Sequence, residues 1–274
     1  TIFAEGSRGQ LGRELIARYK LDADSDPQGY GIGIKELWQA APGKHEPGLV
    51  IHTAGWPMDS DTYGGSFVYH AEDGKIAIGF VVGLDYKNPW LSPFDEFQRF
   101  KTHPAIRGFL EGGTRLSYGA RSLTVGGLLS LPKTVFPGGV MVGCEAGFLN
   151  ASRIKGSHAA IKTGMLAAEA VFAALGEGRS RDELHSFPEA FEKSWLYAEL
   201  RQSKNFKQWF KKGITVATLM TGIEQWFLPK IGIRNPPWTL HRDKPDHACL
   251  EPAAHHQKID YPKPDGVLTF DKLS

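Results

Sequence analysis

Gly138-Gly139-Val140-Met141-Val142-Gly143 reads as a short apolar strand that runs through Cys144-Glu145-Ala146-Gly147 into a helix opening near Gly156. That order gathers backbone N–H groups at a helix N-terminus, where they can hydrogen-bond an electron-rich edge and stabilise negative charge. The N1/O2 edge of a flavin that gains charge on reduction is one such ligand. Strand-glycine-loop-helix units also recur in α/β proteins that bind no flavin, and the residues alone leave both readings open.

Other chemistry-bearing residues are less organised. Gly6, Gly9 and Gly12 follow the apolar stretch Thr1 to Glu5, but they lack the G-x-G-x-x-G spacing of a dinucleotide fingerprint and read as a βα turn. Cys144 and Cys249 belong to no CxxC pair, so no disulfide framework or four-thiolate cluster is expected from them. His52, His70, His103 and His158 show no metal-ligand spacing and read as structural or solvent histidines, as do His255 and His256 in a proline-rich tail. Tyr118-Gly119-Ala120-Arg121 reads as a glycine turn followed by a guanidinium that pairs with a carboxylate or supports a cofactor. No acid-base residue stands out.

The elements that must position these groups follow from periodicity. The chain has 274 residues, 41% apolar and 23% charged, with a net charge of +2, which fits a globular chain and gives no reason to expect nucleic acid. Residues 1–28 suit a strand-loop-helix unit. Between Tyr30 and Leu84, period-two runs and Asp73-Gly74 predict a largely antiparallel sheet. Short helices are expected at Pro93 to Phe100 and Ala105 to Leu110. A helix from Gly156 to Leu175 carries Ala160, Ile161, Gly164, Met165, Ala168, Val171, Phe172 and Leu175 on one apolar face. Further helices are expected at Arg181 to Phe191 and Ser194 to Phe210, and an extended tail from Asn235.

Gly213 to Ile223 is an uncharged stretch of eleven residues, resumed after Glu224 by Trp226-Phe227-Leu228. It falls short of the roughly 20 apolar residues needed to span a bilayer. With Lys204, Lys207, Lys211 and Lys212 before it, Lys230 and Arg234 after it, and Trp209, Trp226 and Trp238 as anchors, it has the make-up of an interfacial segment. A buried core helix with a solvated lysine flank fits the same pattern.

Taken together, Tyr63-Gly64-Gly65-Ser66-Phe67-Val68-Tyr69-His70, Val82-Gly83-Leu84-Asp85-Tyr86-Lys87-Asn88-Pro89, Phe97-Gln98-Arg99-Phe100-Lys101, Glu111-Gly112-Gly113, Tyr118-Gly119-Ala120-Arg121, Phe136-Pro137-Gly138-Gly139, Gly143 through Asn150 and Ile154-Lys155-Gly156-Ser157-His158 resemble, in order, the electron-transfer flavoprotein:ubiquinone oxidoreductases. The resemblance covers nearly the whole chain. It implies an α/β fold with an α+β insertion: part of a glutathione-reductase-type FAD domain, an inserted antiparallel-sheet quinone-binding domain and C-terminal helices. The implied division is 1–28 and 113–178 for the FAD domain, the second being its flavin-ring half. Residues 29–112 would form the quinone domain, 179–240 a helical membrane-associated region, and 241–274 an extended linker toward an iron–sulfur domain.

Carried residue by residue, the resemblance implies that Gly143, Gly147, Lys155, Gly156 and Ser157 face FAD. It sets Tyr63, Gly64 and Gly65 along a quinone headgroup, and Ile214, Leu219, Ile223, Trp226 and Phe227 against the membrane. The family's Thr stands as Ser157 here, which keeps a hydroxyl. Its Asn stands as Thr124 and its Ser-Pro as Glu145-Ala146, departures that unsettle those contacts. The implied cofactors are FAD, ubiquinone as acceptor and a 4Fe–4S cluster carried only by the full-length protein. The implied partner is electron-transfer flavoprotein, at a bacterial or mitochondrial inner membrane. The chain would then be a central to C-terminal fragment, lacking the N-terminal FAD fingerprint. An FAD-dependent isoprenoid reductase and a non-catalytic membrane-binding fragment are the alternatives.

Overall fold

A computed structural model describes residues 1–273. The chain divides into two compact units, one of residues 1–30 and 122–248, the other of residues 31–121 and 249–274.

In the first unit, strand β1 (Ile2–Phe3) leads through the glycine loop into helix α1 (Gln10–Tyr19). β1 lies parallel to β8 (Gly139–Met141), and β8 pairs antiparallel with β7 (Val135–Phe136). The carboxyl ends of β1 and β8 therefore point the same way, so the loops beginning at Gly6 and Gly143 leave the sheet on one side. Helix α4 (Ser157–Gly176) packs behind them through Ala159, Thr163, Leu166, Ala167, Ala170 and Ala174. That corrects the expected face: Ile161, Met165, Phe172 and Leu175 are exposed, and the mostly small residues on another side are buried. Small side chains let the helix backbone approach the Gly143–Glu145 turn and α5 closely, which a stripe of Ile, Met and Phe would prevent.

α5 (Ser186–Glu192), α6 (Trp195–Gln202) and α7 (Phe206–Trp209) follow. The first begins five residues later than expected, after Arg181 in a left-handed conformation. The helix expected over Ser194 to Phe210 is broken after Gln202. α8 (Ile214–Gly222) continues through a wider turn, Ile223–Phe227, to Lys230. Val140, Met141, Phe148, Leu166, Phe187, Phe191 and Leu196 form this unit's core.

The second unit is built on a five-stranded sheet of order β3-β4-β5-β2-β6, with β2 Tyr30–Gln39, β3 Val50–Ala54, β4 Gly64–His70, β5 Lys75–Gly83 and β6 Thr114–Thr124. The β4–β5 hairpin closes through Asp73 and Gly74, both with positive φ (55° and 66°), as a turn between right-twisted strands requires. Tyr118 to Arg121, expected as a turn, lies within β6, because Gly119 sits in an alternating run and adds no bend. α2 (Pro93–Lys101) and α3 (Pro104–Leu110) supply Phe97, Phe100, Ile106 and Leu110 to a core completed by Val68, Ile76, Ile78, Phe80 and Val82. Both helices have Pro in their first turn, where a missing N–H costs nothing. The tail is extended but tied down. Tyr261 Oη donates to Glu96 Oε1 (2.8 Å), Gln98 Oε1 accepts from Phe270 N–H (2.9 Å), and Leu268 is buried in this core.

Candidate functional site

In the first unit the loop after β8 coils into a short turn at Gly143–Glu145 and brings three of the five proposed flavin-facing residues together. A side chain at Gly156 would touch Cys144 Sγ and Leu149, and one at Gly143 would press on Ala160 at 3.2 Å, so both glycines allow the loop and α4 to close on each other. Gly143 N–H donates to Thr163 Oγ1 (3.0 Å) and Gly147 N–H to the Gly143 carbonyl (3.2 Å). Both amides are therefore already engaged, that of Gly147 within the turn and that of Gly143 on Thr163 of α4, a residue the motif did not single out. Lys155 exchanges both backbone hydrogen bonds with Asn150 (3.1 and 3.3 Å), closing the loop before the helix. The α4 N-terminus has no side-chain cap, Gly156 precedes it, and Ser157 is exposed at its first position. Its first-turn N–H groups lack intrahelical acceptors, which suits the electron-rich edge of a flavin ring. The residues present therefore fit the ring end of FAD.

Glu145 lies on the other side of that turn. Its buried carboxyl reaches the β1–α1 loop, where a Cβ at Gly9 or Gly12 would stand within 2.4 and 1.6 Å of Oε1. The Glu5 and Gly6 backbone N–H groups donate to it. Even so, burial, aided by the Glu5 charge, pushes this carboxyl above the usual carboxylate range, and Oε2 has no partner. Glu145 also borders a cavity of about 410 Å³ lined by Arg13, Asp26, Gln28, Tyr30 and Thr124.

In the second unit Tyr63, Gly64 and Gly65 open β4. Gly83 N–H donates to the Tyr63 carbonyl (2.8 Å), so Tyr63 faces β5. His70 N–H donates to the Leu49 carbonyl (2.9 Å), so the even-numbered residues of β4 face β3. Alternation along the ladder then aims the Gly64 N–H toward position 55, one residue beyond the end of β3 at Ala54, while Gly65 pairs within the sheet. A Cβ at Gly64 would meet Met58 Cε and the Val81 carbonyl, each at 2.3 Å, so the packing there leaves no room for a side chain. Tyr63 is buried, which raises its hydroxyl pKa, with Asp85 adding to the shift. The turn at Gly55 borders an open cleft of about 330 Å³ walled by Ile51, Ala54, Trp56, Ile106 and Phe109.

The five residues expected at a membrane are divided. Leu219, Trp226 and Phe227 are 64, 72 and 57% exposed, whereas Ile214 and Ile223 are half-buried. Trp209 and Trp238, expected as anchors, are turned inward. Both indole N–H groups donate to the buried Glu224 carboxylate, Trp209 at 3.1 Å, and Asn205 Nδ2 joins them at 2.9 Å. Lys207, expected on the solvated flank, is buried. Among the described residues α4 is the one helix long and apolar enough to cross a membrane.

Residues 30–123 match the family model described as ETF-QO, ubiquinone-binding. The electron transfer flavoprotein-ubiquinone oxidoreductase of Pseudomonas aeruginosa is 55% identical over all of this chain and 49% of its own length. The mitochondrial protein of that name from Oryza sativa is 48% identical over 99% of the chain and 46% of its own length. The chain thus spans about half the length of these curated relatives. Among solved structures, a geranylgeranyl bacteriochlorophyll reductase-like protein from Thermoplasma acidophilum aligns with TM-score 0.52 and 16% identity over 85% of this chain and 61% of that one. A triple mutant of the flavin-dependent brominase Bmp2 aligns with TM-score 0.53 and 15% identity over 86% and 58%. At such identities these two speak for a flavoprotein fold alone. Identity near one half along the whole chain speaks for more: over the length it spans, the chain is similar to about half the length of the electron transfer flavoprotein-ubiquinone oxidoreductases, and its residues 30–123 match the ubiquinone-binding model.

Proposed function

We propose that the chain is the part of an FAD-dependent oxidoreductase that holds the flavin ring and the quinone, passing electrons from electron-transfer flavoprotein to ubiquinone at an inner-membrane surface. In this reading residues 1–28 and 113–178 belong to a glutathione-reductase-type FAD domain, and 29–112 form the inserted quinone domain. Residues 179–240 form the membrane-associated helical region, and 241–274 lead toward a 4Fe–4S domain of the full-length protein. The observation that carries the reading is the match of residues 30–123 to the ubiquinone-binding model, with the glycine pair Gly64 and Gly65 at the start of β4 inside it.

Each part of the chain has a stated task. FAD, when bound, would supply the redox chemistry between electron donor and acceptor. The α4 N-terminus, with Gly156 and Ser157, would orient its ring and favour negative charge on it; Gly143, Gly147 and Lys155 shape the loop that presents this helix start. Gly64 N–H would hold a quinone carbonyl, with Tyr63 and Gly65 fixing the strand around it. Leu219, Trp226 and Phe227, with the half-buried Ile214 and Ile223, would rest in the lipid interface through which a prenylated quinone arrives.

Gly64→Ala tests the quinone half. In the full-length enzyme it should leave flavin absorbance unchanged and cut quinone reduction by electron-transfer flavoprotein at least tenfold; wild-type turnover would refute the assignment. Flotation with anionic liposomes tests the surface. Leu219→Glu with Trp226→Glu should lose most of the bound fraction, and equal flotation would count against it.

A further inference from the structure

Leu149 to Gly156, the loop that delivers the chain to α4, contains one strained residue. Ile154 stands at φ 53°, in the left-handed region that a β-branched side chain rarely enters. Such a residue persists where its surroundings over-determine it. Asn150 supplies much of that constraint. It is buried, its backbone pairs with Lys155, and its Oδ1 accepts from the Ser152 N–H (3.1 Å), the Ser152 hydroxyl (2.7 Å) and the Arg153 N–H (3.3 Å). Those bonds hold the loop to itself. The remaining Asn150 group reaches outside it, where Nδ2 donates to Glu199 Oε1 at 2.8 Å.

Glu199 lies on α6 between Leu196 and Leu200, both buried in the unit's core, so its backbone is fixed independently of the loop. The same Oε1 bonds His158 Nε2 (2.8 Å), and Oε2 takes the Arg153 guanidinium at 3.3 Å. Burial alone would raise this carboxyl's pKa, but the Asn150 and His158 hydrogen bonds and the Arg153 charge outweigh it and hold the group below the ordinary carboxylate range. An ionised carboxylate only accepts, so the His158 nitrogen is the donor. His158 is the second residue of α4, its ring stacked on Trp195 at 5.8 Å. One carboxylate thus holds the chain on both sides of Lys155, Gly156 and Ser157. We propose that Glu199 is the positioning residue of the flavin-facing helix start, setting where Gly156 and Ser157 stand through Asn150 on one side and His158 on the other. The proposal rests on the flavin reading above and adds the residue that orders these amides in advance, so that the cost of ordering them does not fall on FAD binding.

The test compares Glu199→Ala with Glu199→Gln in the full-length enzyme, stripped of FAD and reconstituted. Both remove the charge, and only Gln keeps an acceptor for Asn150 and His158. Relative to Glu199→Gln, Glu199→Ala should bind FAD about tenfold more weakly, the scale of two hydrogen bonds lost together. Its flavin midpoint potential should be lower, because displaced amides stabilise the negative charge of the reduced ring less, and hydrogen exchange over residues 150–157 should be faster. Equal affinity, potential and exchange in the two variants would overturn the proposal. His158→Phe keeps a ring on Trp195 and releases one of the two holds, so it tests the same point should Glu199→Ala fail to fold. Its FAD affinity should fall about threefold, and wild-type values in it would also overturn the proposal. Ser157→Glu separates the proposal from the flavin reading: the exposed helix start tolerates an acid, whose charge against the ring should lower both affinity and potential. A shift there with equal Glu199 variants would overturn the positioning role and leave the flavin reading standing; no shift would overturn both.

Discussion

Replacing Glu224 tests whether the segment after α8 is organised from inside the protein. Its Oε1 accepts three N–H groups, from Asn205, Trp209 and Trp238, and the residue is 1% exposed. A hydrogen bond to a charged group contributes roughly 1.5–3 kcal/mol, which for three would suggest about 5–9 kcal/mol. The structure lowers that figure. Asn205 Nδ2 also donates to the Trp238 carbonyl at 3.2 Å, so it keeps a partner, and the half-buried Trp238 can turn to water. Trp209 alone is stranded. Glu224→Ala should then cost about 3–4 kcal/mol, a large share of the 5–15 kcal/mol typical of a folded protein. Glu224→Gln keeps an acceptor oxygen and loses the charge, for about 1–2 kcal/mol. Urea unfolding followed by tryptophan fluorescence measures both. Trp209→Phe removes the stranded donor and should make the further loss from Glu224→Ala smaller. A loss below about 1 kcal/mol for Glu224→Ala, or strict additivity with Trp209→Phe, would refute the reasoning.

Two other buried charges yield predictions. Glu145 has its pKa raised by burial, so the folded chain holds that proton more tightly than the unfolded one. The stability it contributes is complete below the ordinary carboxylate pKa and is lost as pH rises through the folded value. Glu145→Gln should therefore have the higher melting temperature at pH 7, with the difference closing toward pH 4; a gap that widens on acidification would contradict this. Lys101 is fully buried with Nζ 3.0 and 2.9 Å from the two oxygens of Glu36, which also accepts from Trp38 Nε1. Lys101→Met should cost about 3 kcal/mol, the low end for breaking a buried pair, because Arg115 stays 3.6 Å from the Glu36 carboxylate. Adding Glu36→Gln should recover a good part of it, and urea midpoints that merely add would show that the pair is not coupled.

The readable parts of this fold were those set by local chemistry. Asp73-Gly74 between apolar runs had to be a hairpin, since few residue pairs adopt the backbone it needs. Pro93 and Pro104 marked helix starts for the same kind of reason. Ser157 and Gly156 stand at a helix start because the apolar periodicity begins there. What periodicity did not reveal was which apolar face is inside. On α4, Ile161, Met165, Phe172 and Leu175 carry the larger hydrophobic area, yet burial went to Ala159, Ala167, Ala170 and Ala174. The Gly143–Glu145 turn and α5 pack close against that helix, and distance of approach outweighed area per residue. Gly119 shows the converse: a glycine read as a turn because it is flexible, in a strand whose neighbours left no reason to bend.

Isolated charges were the least legible feature, because a charge next to an apolar run can end the run or be its internal fastener. Glu224 read as an interruption of an interfacial stretch. Its actual partners lie 14, 15 and 19 positions away, beyond the reach of any helical spacing. Once those donors are counted, two of the three tryptophans that argued for a membrane become internal, and the interfacial reading must stand on Leu219, Trp226 and Phe227. That narrower face is still apolar and contiguous with the wider turn after α8, so the clamp strengthens the reading in one respect. A carboxylate that draws Trp209 and Trp238 inward fixes the turn whose other side carries Trp226 and Phe227 outward. Losing the clamp should therefore weaken liposome binding even though Glu224 itself touches no lipid.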